Sequence, residues 1–108
     1  MDATERFTAL VSATAADPDV QPPTAEGGRR FGSDALRLRG SIVAMLVQGN
    51  VVLKLPRERV EALIDAGDGM PFDGGRGRPM REWVALTGDP ARDEALLREA
   101  LDFARSRA

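Results

Sequence analysis

Between Ala35 and Leu55 the chain lays down three short apolar segments separated by two glycine-bearing turns, and this run constrains the fold more than any other. Short runs rich in Val, Ile and Leu and bounded by turn residues read as strands. They fall at Ala35–Arg39, Ser41–Val47 and Val51–Leu55. Gly49-Asn50 is a good two-residue hairpin loop. That loop sets Leu46 opposite Leu53 and Ala44 opposite Leu55 on one face, and Val47 opposite Val52 and Met45 opposite Lys54 on the other. The turn at Arg39-Gly40-Ser41 admits two registers. A two-residue loop puts Leu36 and Leu38 with Met45, and Arg37 and Arg39 with Ile42; a three-residue loop reverses this. Either way the second strand is apolar on both faces, with Ile42, Ala44 and Leu46 on one and Val43, Met45 and Val47 on the other. A sheet with one solvated face should alternate apolar with polar residues. This one calls for cover on both sides, from helices or from a second subunit.

Helical spacing supplies three candidate covers. Phe7, Leu10, Val11 and Thr14 form an apolar stripe in a first helix within residues 1–16, ended by Asp17-Pro18. Residues 17–30, with Pro18, Pro22, Pro23, Gly27 and Gly28, read as an extended or mobile connector. Pro56 suits a first helical position, Val60, Leu63 and Ile64 make the buried stripe, and Gly67 caps the end. Residues 68–81 form a glycine-rich loop that Met70 and Phe72 could pin to the core. A strand from Glu82 to Leu86 centres on Trp83. Asp89-Pro90 then opens a last helix running to about Ser106, burying Leu96, Leu97, Ala100, Leu101 and Ala104 with Phe103 at the margin. The expected fold is α+β: an antiparallel sheet, a three-strand meander plus the later Trp-containing strand, flanked by N-terminal, middle and C-terminal helices. One domain spans residues 1–108, with its main body at 31–106. The middle and last helices can cover one sheet face, and the first helix is expected to cover the other.

Composition removes most chemistry. The chain has no His and no Cys, so zinc tetrads, catalytic triads and Cys–His dyads are impossible, and no Tyr. No cofactor or metal is expected. Asp65, Asp68 and Asp73 superficially suggest a calcium loop but lack its acidic spacing and its final Glu. The N-terminus starts acidic and is not expected to be a signal peptide, and the longest apolar stretch, Ile42 to Val47, falls far short of a membrane span. A cytoplasmic protein without membrane contact is expected. Net charge is −2, unevenly spread: residues 29–81 carry ten cations against six acids, a balance of +4, between acidic flanks.

The run Arg30-Phe31-Gly32-Ser33 precedes the first meander strand, and Ala44-Met45-Leu46 lies in the second. Leu53-Lys54-Leu55-Pro56 leads into the middle helix, and Gly77-Arg78-Pro79-Met80 comes before Trp83. In this order the motifs resemble the TfoX/Sxy N-terminal domain and the related YjbR/MmcQ proteins, over about residues 30–106. The resemblance implies an antiparallel sheet flanked by helices. It also implies a regulatory or interaction role, since TfoX/Sxy members regulate competence and YjbR/MmcQ proteins are often labelled DNA-binding.

Several residues are candidates for binding. The loop from Asp73 to Pro79 combines glycines with Arg76 and Arg78; with Arg81 it could take a phosphate or carboxylate, or lie solvated in salt bridges. It lacks the spacing and the Lys-Ser/Thr ending of a nucleotide-binding P-loop. Lys54, the only lysine, could be an activated base or nucleophile, or an edge-strand cation that blocks strand pairing. Trp83 could stack a ligand, although a lone Trp in a strand more often belongs to the core. Arg29, Arg30, Arg76 and Arg78 are the nucleic-acid candidates, a reading opposed by the pI near 5.1. The expected function is a small non-catalytic module acting through a sheet or loop surface on a protein partner or as a weak homodimer. Nucleic-acid binding through the central arginines is the alternative, and an activity based on Lys54 or a carboxylate is the remote one.

Overall fold

A computed structural model describes residues 1–23, 34–74 and 77–107. It shows an α+β fold in which an antiparallel sheet is flanked by N-terminal, middle and C-terminal helices. The elements are α1 (Ala3–Ala13), β1 (Val20–Gln21), β2 (Ala35–Leu38), β3 (Ser41–Val47), β4 (Asn50–Lys54), α2 (Arg57–Asp65), β5 (Gly69–Pro71), β6 (Trp83–Leu86) and α3 (Asp93–Ser106). Strand order across the sheet is β1-β2-β3-β4-β6-β5.

Both meander turns have two central residues, and the second differs from expectation. The loop is Gln48-Gly49, with φ of 53° and 78°, and Asn50 already belongs to β4. Two successive positive φ values make the hairpin turn whose twist matches that of its strands. Leu46 therefore faces Val51 and Ala44 faces Leu53, while Met45 faces Val52 and Val47 faces Asn50. Each expected partner is displaced by two residues, so every side chain keeps its expected face.

The first turn is Arg39-Gly40, with φ of 50° and 91°. Leu36 pairs with Ala44 but Arg37 pairs with Ile42, which leaves Val43 as an extra residue. This bulge combines the two registers that the sequence left open. It also lets Val43 and Ala44, neighbours in the chain, both join the main core.

Two strands were not expected. The connector contains β1, where Val20 pairs with Leu38 and Gln21 with Arg37. The glycine-rich loop begins with β5, paired to β6 from Gly69↔Leu86 to Pro71↔Val84. Runs this short beside proline or glycine carry no periodicity to read. Met70 does not pin the loop to the core, being 51% exposed.

The helices are close to expectation in place. In α1, Asp2 and Glu5 form a reciprocal capping box, and Thr14 ends the helix while its hydroxyl donates to the carbonyls of Leu10 and Val11. Pro56 is the N-cap of α2 rather than its first helical residue. A single 3-10 turn, Pro90–Arg92, precedes α3 and is capped by Asp89.

All three helices among the described residues pack on one face of the sheet, which corrects the expectation that α1 would cover the second. Phe7 and Leu10 of α1, Val60 and Leu63 of α2, and Leu96, Leu97, Ala100 and Leu101 of α3 form one core with Leu36, Ala44, Val51, Leu53, Val84 and Leu86. Those sheet residues occupy one side of their strands by register. Gly69 makes room for the Val84 side chain beneath α2: a Cβ there would lie 2.5 Å from Cγ2 of Val84 and 3.4 Å from Cβ of Leu63. Arg6 of α1 ties that helix to α3 through Asp93, with bonds of 2.8 and 2.7 Å. Among the described residues no helix is long and apolar enough to cross a membrane.

Candidate functional site

The opposite face of the sheet carries the row Ala35, Met45, Val52, Ala85 and Met70, in register across five strands. Ala35, Val52 and Ala85 are buried at 3% exposure or less, whereas Met45 and Val47 are half-buried and Met70 stands out. Small residues thus form the floor and flexible thioether side chains rise from it. None of these residues belongs to the helix-covered core.

At one end of this face Lys54 pairs with Trp83 across β4 and β6, and its ammonium lies 5.6 Å from the ring centre. A cation over an indole face is attracted by the ring's quadrupole. Trp83 is half-buried on this face, so its assignment to the core is corrected. The edge-strand reading of Lys54 is also overturned, because β4 lies between β3 and β6. Which strand neighbours β4 is decided by a connection of 28 residues from Leu55 to Glu82, and nothing local in the sequence announces it.

The remaining candidates divide between this end and undescribed positions. The loop from β5 to β6 leaves and returns at the Trp83 end of the sheet, with Phe72 accepting from the Met80 N–H at 2.7 Å. It presents Arg78 and Arg81 as exposed side chains. Arg29, Arg30 and Arg76 lie outside the described residues.

Most of the other arginines are internally committed. Arg6, Arg39, Arg57, Arg59, Arg92, Arg98, Arg105 and Arg107 each pair with a carboxylate. The most buried pair is Arg6–Asp93, with side chains 12% and 7% exposed, and its hydrogen bond raises the guanidinium's pKa above its ordinary value against the effect of burial. Asp17 is held below the usual carboxylate range, first by accepting the Asp19 N–H and then by its contact with Arg105, with burial opposing. By contrast, Arg37, Lys54, Arg78 and Arg81 have no ion-pair partner among the described residues. Arg37 sits between core-facing Leu36 and Leu38, and so belongs to the face opposite the three described helices. Sequence reasoning did not single it out; the alternation of Leu36, Arg37 and Leu38 was the available signal.

The site is therefore an apolar, methionine-bearing face with an indole at its margin and cations that have no ion-pair partner among the described residues. Compared with known proteins, the chain matches no family model, no curated protein and no solved structure.

Proposed function

We propose that this chain is a small, non-catalytic cytoplasmic interaction module of the TfoX/YjbR type that takes an acidic, apolar-centred protein segment on its helix-free sheet face. The observation that carries this reading is the packing of all three helices on the other face. It leaves Met45, Val47, Met70 and Trp83 without a covering helix among the described residues. Met70 is exposed beside half-buried Met45, Val47 and Trp83, and methionine adapts to varied partner shapes. The cations without an ion-pair partner among the described residues choose the partner's charge. Arg37 and Lys54 would meet like charges in a symmetric dimer of this face, whereas an acidic rim complements them.

Synthetic peptides in which Leu or Phe alternates with Glu, and counterparts with Lys in place of Glu, test the reading. The Glu peptides should bind, with amide shifts concentrated at Met45, Val52, Met70 and Trp83, and Met70→Asp should weaken them at least about tenfold. Equal binding of the Lys peptides, or shifts on the helical side, would overturn it. A concentration-dependent dimer lost in Met70→Asp would assign the face to a second copy instead. Single-stranded oligonucleotide binding that falls steeply with salt and is lost on replacing Arg78 and Arg81 would assign it to nucleic acid.

A further inference from the structure

At the Lys54 end of the sheet, a cleft of about 340 Å³ opens between the C-terminal half of α3 and the β2–β3 hairpin. Small-molecule sites typically enclose roughly 300–1,000 Å³ with mostly apolar walls and a few polar groups. Ile42 and Phe103 supply apolar wall, and Ala104 keeps it open by its small size. Arg39, Lys54 and Arg107 also line it, and no carboxylate does. The geometry points to a binding site for a small amphipathic monoanion, a carboxylate with a hydrocarbon or aryl tail.

The charge balance selects the ligand class. Arg39 is bonded to Asp19 at 3.2 Å, and Arg107 to Glu82 at 2.9 Å. Both acids lie outside the lining. Two of the three lining cations are thus offset, while Lys54, whose ammonium lies 5.6 Å from the Trp83 ring centre, has no carboxylate partner among the described residues. One net positive charge suits a single carboxylate and gives a second ionised group nothing to pair with. The arginines keep free donors: Arg39 uses one nitrogen toward Asp19, and Arg107 uses Nη1 toward Glu82. The guanidinium of Arg107 lies 5.1 Å from the Phe103 ring centre, so head-group and tail contacts meet at one point of the helix. The fold supports this placement. Arg39 occupies a left-handed turn position fixed by the hairpin, and Arg107 caps the end of α3.

Decanoate, decanol and decylammonium are the probes, titrated against the whole chain by calorimetry and amide shifts. Decanoate should bind saturably at one site, about tenfold or more tighter than decanol, with decylammonium weaker still. Shifts should centre on Phe103 and Ala104 and not on Met45 and Met70, which separates this site from the sheet face. Arg107→Gln should weaken decanoate about tenfold and leave decanol nearly unchanged. Ala104→Phe should fill the cleft and abolish decanoate binding. Arg39→Asn, which tolerates the left-handed turn, provides a second charge variant if either helix variant fails to fold. Equal affinity for decanoate and decanol, unsaturable binding, or undiminished binding by folded Ala104→Phe would each overturn the proposal.

Discussion

Asp93 is the residue on which the first helix most depends. Its carboxylate takes two bonds from Arg6 while both side chains are nearly withdrawn from water. Removing one partner of such a pair leaves the other charge buried, at a cost of about 3–5 kcal/mol. Asp93→Asn should lower stability by about 3 kcal/mol in urea unfolding, and combining it with Arg6→Met should recover much of the loss. Asp17 acts through pH. Its folded-state pKa is depressed, so its contribution is present above the ordinary carboxylate value of about 3.9 and is lost as pH falls through the folded value. Asp17→Asn should therefore flatten the acid limb of the stability profile below about pH 4, measured by melting across pH. At neutral pH the wild type is the more stable, and the gap closes on acidification. Neither interaction could be read from sequence, since Arg6 and Asp93 are 87 residues apart and Asp17 and Arg105 are 88.

At the scale of elements, turn geometry and close packing make the sharpest demands. Gln48 adopts φ of 53° in the β3–β4 loop, where asparagine is more at ease. Gln48→Asn should raise stability by about 0.5 kcal/mol, seen as a thermal midpoint about 2–4 °C higher. Gly69 tests the contact between α2 and the sheet. The Cβ of Gly69→Ala would fall 2.5 Å from a buried Val84 methyl, so β5 or the Val84 side chain must move. A loss of about 1–3 kcal/mol is expected, with amide shifts spreading to Leu63 and Leu86. The strong periodicity of α3 and the alternating bulk of the meander were legible because each buries an unbroken apolar stripe. Strands β1 and β5 were not, because two or three residues reveal no period and only their pairing partners make them strands.

At the scale of the molecule, the decisive fact is that α1 joins the helical layer. Phe7 and Leu10 are buried at 5% and 2% exposure within the same core as α2 and α3. Deleting residues 1–16 should expose that core, lower the thermal midpoint and promote aggregation in sedimentation experiments; a truncated chain that stays monomeric and equally stable would refute this account of α1. The sheet face bearing Met45 and Met70 should be indifferent to the deletion, because α1 does not touch its side of the strands by register.

By itself the sequence determined the class of fold, the meander, the three helices and the two-faced apolar character of β3, because local propensity and periodicity act within a few residues. It also placed Lys54 and Trp83 in strands. Tertiary structure alone decided that β6 lies beside β4, that Lys54 therefore meets Trp83, and that all three helices share one face. Those outcomes depend on how distant surfaces fit when the chain closes on itself: Gly69 makes room for Val84, and Arg6 reaches Asp93. The free energy that selects them lies in contacts between residues far apart in the chain, which no local pattern encodes.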